Sequence, residues 1–301
     1  MSEPSVSVVI STYEWPDALD VLLLALADQH DRDFEVVVAD DGSGPETAAV
    51  VESWRARGPF RVTHAWQPDE GWRKSRILNL GALAASGRYL VFLDGDSIPR
   101  ASFLAAVRRV MLSGWFLASK RLLLSRALSG RVLDERIPVW RWSAARWLLG
   151  APRELVRSDR ERGRPGVLLP LRDRRRPWRD DQPEFTAPYE AYGFCLGMWR
   201  SDFELVNGFD LRFENWGGED EDIAARLRRA GLRCGWPGPK ATMLHLWHEP
   251  KLGLMPSNKQ LVRDSLSGDH VEAIAGLREL AAQESANRVG ASSSSSDPVN
   301  R

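Results

Sequence analysis

RYLVFLDGDSIP, residues 88–99, decides how the rest of the chain is read. Six residues of mostly apolar, β-favouring character suit a strand buried on both faces. The run then stops at Asp94, and Gly95 separates that carboxylate from Asp96. Two carboxylates at i and i+2 on a sharp turn can reach one hard cation or one set of ribose hydroxyls. Magnesium and manganese favour such oxygen ligands and share their coordination sphere with phosphates. Asp and Gly are also ordinary turn residues, so the triplet takes its weight from its surroundings.

Working outward, residues 5–10 and 34–39 (FEVVVA) form two further buried-strand patterns, and 61–66 a third. Helical spacing occupies 17–28, 46–57 and 75–86 between them. Strands alternating with helices predict an α/β fold with a mostly parallel sheet flanked by helices. Ligands of such sheets bind beyond the carboxyl ends of the strands. Three polar clusters fall there: Ser11-Thr12-Tyr13-Glu14, Asp40-Asp41-Gly42-Ser43 and Asp94-Gly95-Asp96. Asp41 could accept a nucleobase N–H, or the cluster could serve only as a turn. Arg73, Lys74 and Arg76 lie at the start of the helix that contains Asn79, where basic groups favour an anion.

A second acidic run, Glu219-Asp220-Glu221-Asp222, opens a helix over 218–230 behind Trp216-Gly217-Gly218. Four crowded acids repel one another, and the helix dipole offsets part of that cost. The glycines let backbone approach a ligand beside an aromatic surface. One of the carboxylates could serve as a general base for an acceptor hydroxyl. His245 lies within a short strand pattern over 241–246 and His248 just past it, and either could add an imidazole nitrogen to a metal shell. His248, just past the strand end, is the better placed of the two.

The bulk figures set limits. The chain has 301 residues, with 41 basic side chains against 41 acidic ones, so no global field selects nucleic acid. Its two cysteines lack metal-ligand spacing and suggest no disulfide framework. The longest apolar stretch, 21–27, is far shorter than the ~20 residues that span a bilayer. A cytoplasmic location is the expectation. The Arg-, Trp- and Pro-rich stretch within 116–188 reads as a variable insertion. It is a candidate for peripheral contact with the inner membrane face at 130–180, through Trp140, Trp142 and Trp147, or else a solvated basic loop. The serine-rich tail, 283–301, reads as disordered.

Taken together, VSVVISTYE (6–14), VVVADDGS (36–43), residues 71–99 and VNGFD (206–210) resemble the family-2 glycosyltransferases of GT-A fold. WGGEDEDIAARLRRAG (216–231) and HLWHEP (245–250) resemble the C-terminal part of chondroitin-polymerase-type and β-1,4-galactosyltransferase enzymes. The resemblance implies a nucleotide-binding half over 1–115 and an acceptor and catalytic half over 189–282. It implies a nucleotide-sugar donor, of UDP-hexose or UDP-N-acetylhexosamine type, and a glycan or lipid-linked glycan acceptor, with inverting transfer assisted by Mn2+ or Mg2+.

By the same resemblance, Thr12, Tyr13, Glu14, Asp41, Arg73, Arg76, Asn79, Asp94, Gly95 and Asp96 hold the donor. Gly193, Trp216, Gly217, Gly218 and Glu219 contact sugars, and Asp220 is the catalytic base. Asp96 and His248 bind the metal, ahead of Asp94 and His245. Two departures stand out. Leu78 replaces the arginine that often precedes the motif asparagine, leaving Arg76 as its substitute. Gly193 to Gly197 lacks the asparagine found near the donor sugar in relatives. A sugar nucleotidyltransferase would need a glycine-rich phosphate loop near the N-terminus, and STYEWPD after Ile10 is not one. A non-catalytic binding protein on the same fold is the other alternative.

Overall fold

The computed structural model describes residues 5–154, 195–249 and 255–294. Gly193 and the most basic part of the expected insertion lie outside the described residues. β1 (Val6–Thr12), β2 (Phe34–Asp40), β3 (Val62–Trp66) and β4 (Tyr89–Asp94) arise from the runs of β-branched and aromatic residues noted above. With β6 (Trp115–Ala118), β8 (Cys195–Trp199) and β9 (Arg233–Gly235) they build one seven-stranded sheet, ordered β3-β2-β1-β4-β8-β6-β9. β1 to β4 run parallel, and β8 lies antiparallel to both β4 and β6. The fold is the expected α/β arrangement.

Each sheet face has its own core. Leu19, Leu22, Leu23 and Leu26 of α1 (Pro16–Ala27), with Val51 and Trp54 of α2 (Pro45–Arg57), cover one face. The other is covered by α3 (Lys74–Ala84), α7 (Arg200–Leu205) and α8 (Glu219–Arg229). α1 and α2 each begin with Pro at the first helical turn, where the missing N–H costs nothing.

A smaller sheet, β5 (Ser97–Ile98), β10 (Met243–His245) and β7 (Arg121–Leu123), follows the carboxyl end of β4. β10 pairs antiparallel with β5 and parallel with β7. This pairing joins the segment after Asp96 to the segment that carries the two histidines.

Three expectations change. The stretch expected to start a variable insertion at 116 instead supplies β6 and β7, so its first residues belong to the framework. Trp140, Trp142 and Trp147 are buried with Leu128 and Val132 of α5 (Arg126–Asp134) and Leu244 of β10. Rings that form a core cannot insert among lipid headgroups, so the motive for a membrane face there is lost. No helix among the described residues is long and apolar enough to cross a membrane. Finally, α10 (Leu277–Ser294) continues through most of the stretch expected to be disordered. It packs on α3, with Leu277 in the same apolar cluster as Leu78 and Glu284 paired with Arg76.

Candidate active site

The ends of β1 and β2 lie in register, Thr12 opposite Asp40, and Asp41 N–H donates to the Thr12 carbonyl at 3.0 Å. Asp40 is fully buried. It accepts from Ser43 N–H at 2.8 Å and faces His64 Nε2 at 2.9 Å, so it holds the turn. Asp41 faces the other way. Its Oδ2 accepts from Arg73 N–H at 2.9 Å, and its Oδ1 accepts from the Gln67 amide. Burial pushes the Asp41 carboxyl up, opposed by those two donors. Tyr13 is half exposed at the edge of this pocket, its hydroxyl donating to Asp69 at 3.0 Å.

Asp94 and Asp96 point to different partners. Gly95 sits close against β1, where an added Cβ would lie 2.9 Å from the Ser11 carbonyl oxygen. Any larger residue there would have to displace the β1 backbone. Asp96 Oδ2 lies 3.3 Å from His248 Nε2 and 3.5 Å from His245 Nε2. Each histidine donates its Nδ1–H to a backbone carbonyl at 2.8 Å, His245 to Leu246 and His248 to Glu249. Both Nε2 lone pairs are thereby left for the space they share with Asp96. One ligand atom from each of the three residues falls within 4.8 Å of the others.

Two oriented imidazoles and a carboxylate are a fitting donor set for a divalent metal. Burial raises the Asp96 carboxyl, but His245 and His248 outweigh it and bring the group down to about 2. Burial lowers His245, which favours the neutral ring a metal needs. His248 is raised, first by its hydrogen bond to Asp96. His245 therefore joins the cluster on equal terms with His248. Asp94, expected as a secondary metal ligand, is engaged elsewhere.

That partner is Lys74, at the start of α3. Its Nζ lies 2.7 Å from Asp94 Oδ1 and 3.1 Å from Glu219 Oε1. Burial opposes its charge, but Asp94 and then Glu219 outweigh burial and raise the ammonium. Asp220 also acts on it, which places that carboxylate's field at the same point. Gly218 makes the arrangement possible. As N-cap of α8 it adopts φ +101°, and an added Cβ would lie 2.7 Å from Val262. Trp216, partly exposed, stands beside it, and Gly217 is held by Asn258 Nδ2 at 2.7 Å. Of the four acids, Asp222 has a structural role. It forms a buried pair with Arg226 at 2.6 Å and accepts from Ser265 at 2.6 Å.

Four residues expected to hold the donor make contacts within the protein. Glu14, at φ +46°, accepts from Gly44 N–H at 2.7 Å and closes the turn before α2. Asn79 is fully buried and exchanges hydrogen bonds with the Phe209 backbone at 2.8 and 2.9 Å, which fixes the VNGFD loop. Arg76 bonds to Gln67 and Glu284, each at 2.7 Å. Arg73 reaches Asp41 through its backbone, while its guanidinium donates to the Pro68 carbonyl at 2.6 Å.

Sequence comparison agrees with this geometry. Residues 7–116 match the profile of glycosyl transferase family 2, and 178–249 match that of the N-terminal domain of galactosyltransferase. Validoxylamine A glucosyltransferase of Streptomyces hygroscopicus subsp. jinggangensis is 32% identical over 76% of this chain and 52% of its own. Chondroitin synthase of Escherichia coli is 26% identical over 75% of this chain and 32% of its own. The chain thus spans about half or less of these relatives' length. Among solved structures, S. aureus TarS 1-349 in complex with UDP aligns over 92% of this chain and 68% of its own. Its TM-score is 0.60 at 15% identity, a likeness of fold, and that fold is GT-A. Strand order, the two matched segments and these relatives together show a family-2 glycosyl transferase domain over residues 7–116, in a chain similar to glycosyltransferases.

Proposed function

We propose that the chain catalyses inverting, metal-dependent transfer of a hexosyl group from a nucleoside diphosphate sugar to a hydroxyl of a glycan or lipid-linked glycan. The observation that carries this reading is the convergence of Asp96, His245 and His248 at one edge of the sheet, with Lys74 bridging Asp94 and Glu219 at the same edge. Asp41, Thr12 and Tyr13 would receive the nucleoside, and Trp216 to Glu219 the sugars. A relative named as a glucosyltransferase supports a hexosyl donor.

In the proposed reaction Asp220 takes the proton from the acceptor hydroxyl, whose oxygen then attacks the anomeric carbon. The bond from that carbon to the diphosphate oxygen breaks, and the nucleoside diphosphate leaves with the electron pair. Asp96, His245 and His248 would hold a divalent cation whose charge stabilises the leaving diphosphate. Two imidazole ligands favour manganese over magnesium, which prefers all-oxygen shells. Lys74 adds a fixed positive charge between the donor and acceptor carboxylates.

A panel of nucleoside diphosphate sugars, screened by thermal shift with Mn2+, tests the donor assignment. A matching donor raises the melting temperature and is hydrolysed slowly in the absence of acceptor. Binding with no hydrolysis or transfer under any condition would leave only a binding protein and overturn the enzymatic reading.

A further inference from the structure

Asp41 ends a chain of side chains that begins on the C-terminal helix. Glu284 of α10 accepts from Arg76 Nη2 at 2.7 Å, and Arg76 Nη1 donates to Gln67 Oε1 at 2.7 Å. The Gln67 amide nitrogen then donates to Asp41 Oδ1 and lies 3.4 Å from the Arg73 carbonyl oxygen. Gln67 is buried, and its own backbone N–H is tied to the Asp40 carbonyl at 3.2 Å.

The polarity of this chain runs one way only. A guanidinium has donors and no acceptor, so the amide atom facing Arg76 must be the oxygen. The NH2 end must then face Asp41. Rotating the amide would aim its oxygen at a carboxylate and a carbonyl and its donors at a cation. Asp41 Oδ1 is thereby compelled to accept, and Oδ2 accepts from the Arg73 backbone. Glu284 supplies the counter-charge that keeps Arg76 at Gln67. Burial keeps the Asp41 carboxyl above its ordinary value even with these donors in place, towards a protonated form that could present a donor. The relay opposes that state.

We propose that Gln67, Arg76 and Glu284 are positioning residues that hold Asp41 as an acceptor through both oxygens, so that the pocket selects a base bearing an imino N–H. Uracil at N3 and guanine at N1 present that donor. Cytosine at N3 and adenine at N1 present a lone pair, which would face the carboxylate unfavourably. This inference rests on the proposal that Asp41 receives the nucleobase.

Calorimetric titration of UDP, CDP, GDP and ADP with Mn2+ tests it, using the full chain and its Asp41→Asn, Gln67→Met, Arg76→Met and Arg76→Lys variants. The wild-type protein should favour UDP over CDP, or GDP over ADP, by about tenfold or more. Arg76→Met and Gln67→Met should each shrink that ratio by about fivefold. Arg76→Lys, also a pure donor, should keep most of it. If Gln67→Met and Arg76→Met weaken both nucleotides alike and leave the ratio intact, their role is merely structural and the relay is overturned. The near-isosteric Gln67→Met decides the matter if Arg76→Met does not fold. A ratio near one in the wild type, or one unchanged in Asp41→Asn, overturns the reading of Asp41 instead.

Discussion

Asp94 and Glu219, distant in sequence, share one ammonium: Lys74 Nζ lies 2.7 Å from the first and 3.1 Å from the second. The contact joins the edge of β4 to the first turn of α8, the two halves of the candidate site. Lys74→Met would leave two carboxylates facing each other with little water to screen them. Removing one partner of such a buried set costs on the order of 3–5 kcal/mol. Urea unfolding should show this loss, and donor binding should fall with it. Unchanged stability would mean that the bridge contributes nothing to the fold.

Asp220 and Asp222 stand on one helix turn but should fail differently. Asp220→Asn should cut transfer by roughly 10²–10⁴-fold while donor affinity holds, as for loss of a general base. Asp222→Asn should leave Arg226 buried without its counter-charge, destabilising the chain by about 3 kcal/mol. Single-turnover assays and denaturant unfolding on the two variants separate these outcomes. Near-full turnover in Asp220→Asn would remove it as the base.

The pH dependence of the metal-free protein follows from opposed shifts. His248 is raised in the folded chain, so its contribution is fully present below the usual histidine value and is lost as pH rises through its folded pKa. Asp96 is lowered, so its contribution holds above the usual carboxylate value and is lost as pH falls towards about 2. His245 is lowered by burial and disfavours folding once acid protonates the unfolded chain. Metal must displace the proton on His248, so Mn2+ affinity should rise with pH through and somewhat above the range near 6.5. A flat affinity from pH 5.5 to 8 would place His248 outside the metal shell.

The large strands and the α/β class were legible in the sequence because each depends on local pattern, whereas Asp96 and His248 were paired only through the family resemblance. Runs of β-branched, aromatic and other apolar residues identify β1, β2 and β4 whatever surrounds them. The roles that escaped depend on distant partners. Lys74 looks like one more basic residue at a helix start, and only the packing of α8 against the sheet brings Glu219 to it. His245 comes within 3.5 Å of Asp96 because β10 pairs with β5, a pairing that no local pattern announces. Asn79, Glu14 and Arg76 carry polar groups suited to a donor, yet each finds a protein partner first. Trp140, Trp142 and Trp147 suggested an interface because the amphipathic character of an indole is visible in sequence and its burial is not.

Removing either imidazole should weaken the metal site in step. His245→Ala and His248→Ala should each lower Mn2+ affinity by at least roughly 10–100-fold, as lost ligation commonly exceeds the loss of an outer-shell partner. Retained affinity in His245→Ala alone would restore the asymmetry first read from the sequence.

The most direct measurement is UDP-sugar binding by calorimetry with Mn2+ and with EDTA, on the wild type and on Asp96→Asn. Mn2+ should tighten wild-type binding by about tenfold or more, and Asp96→Asn should abolish the gain. Equal affinity with Mn2+ and EDTA in the wild type would contradict this expectation.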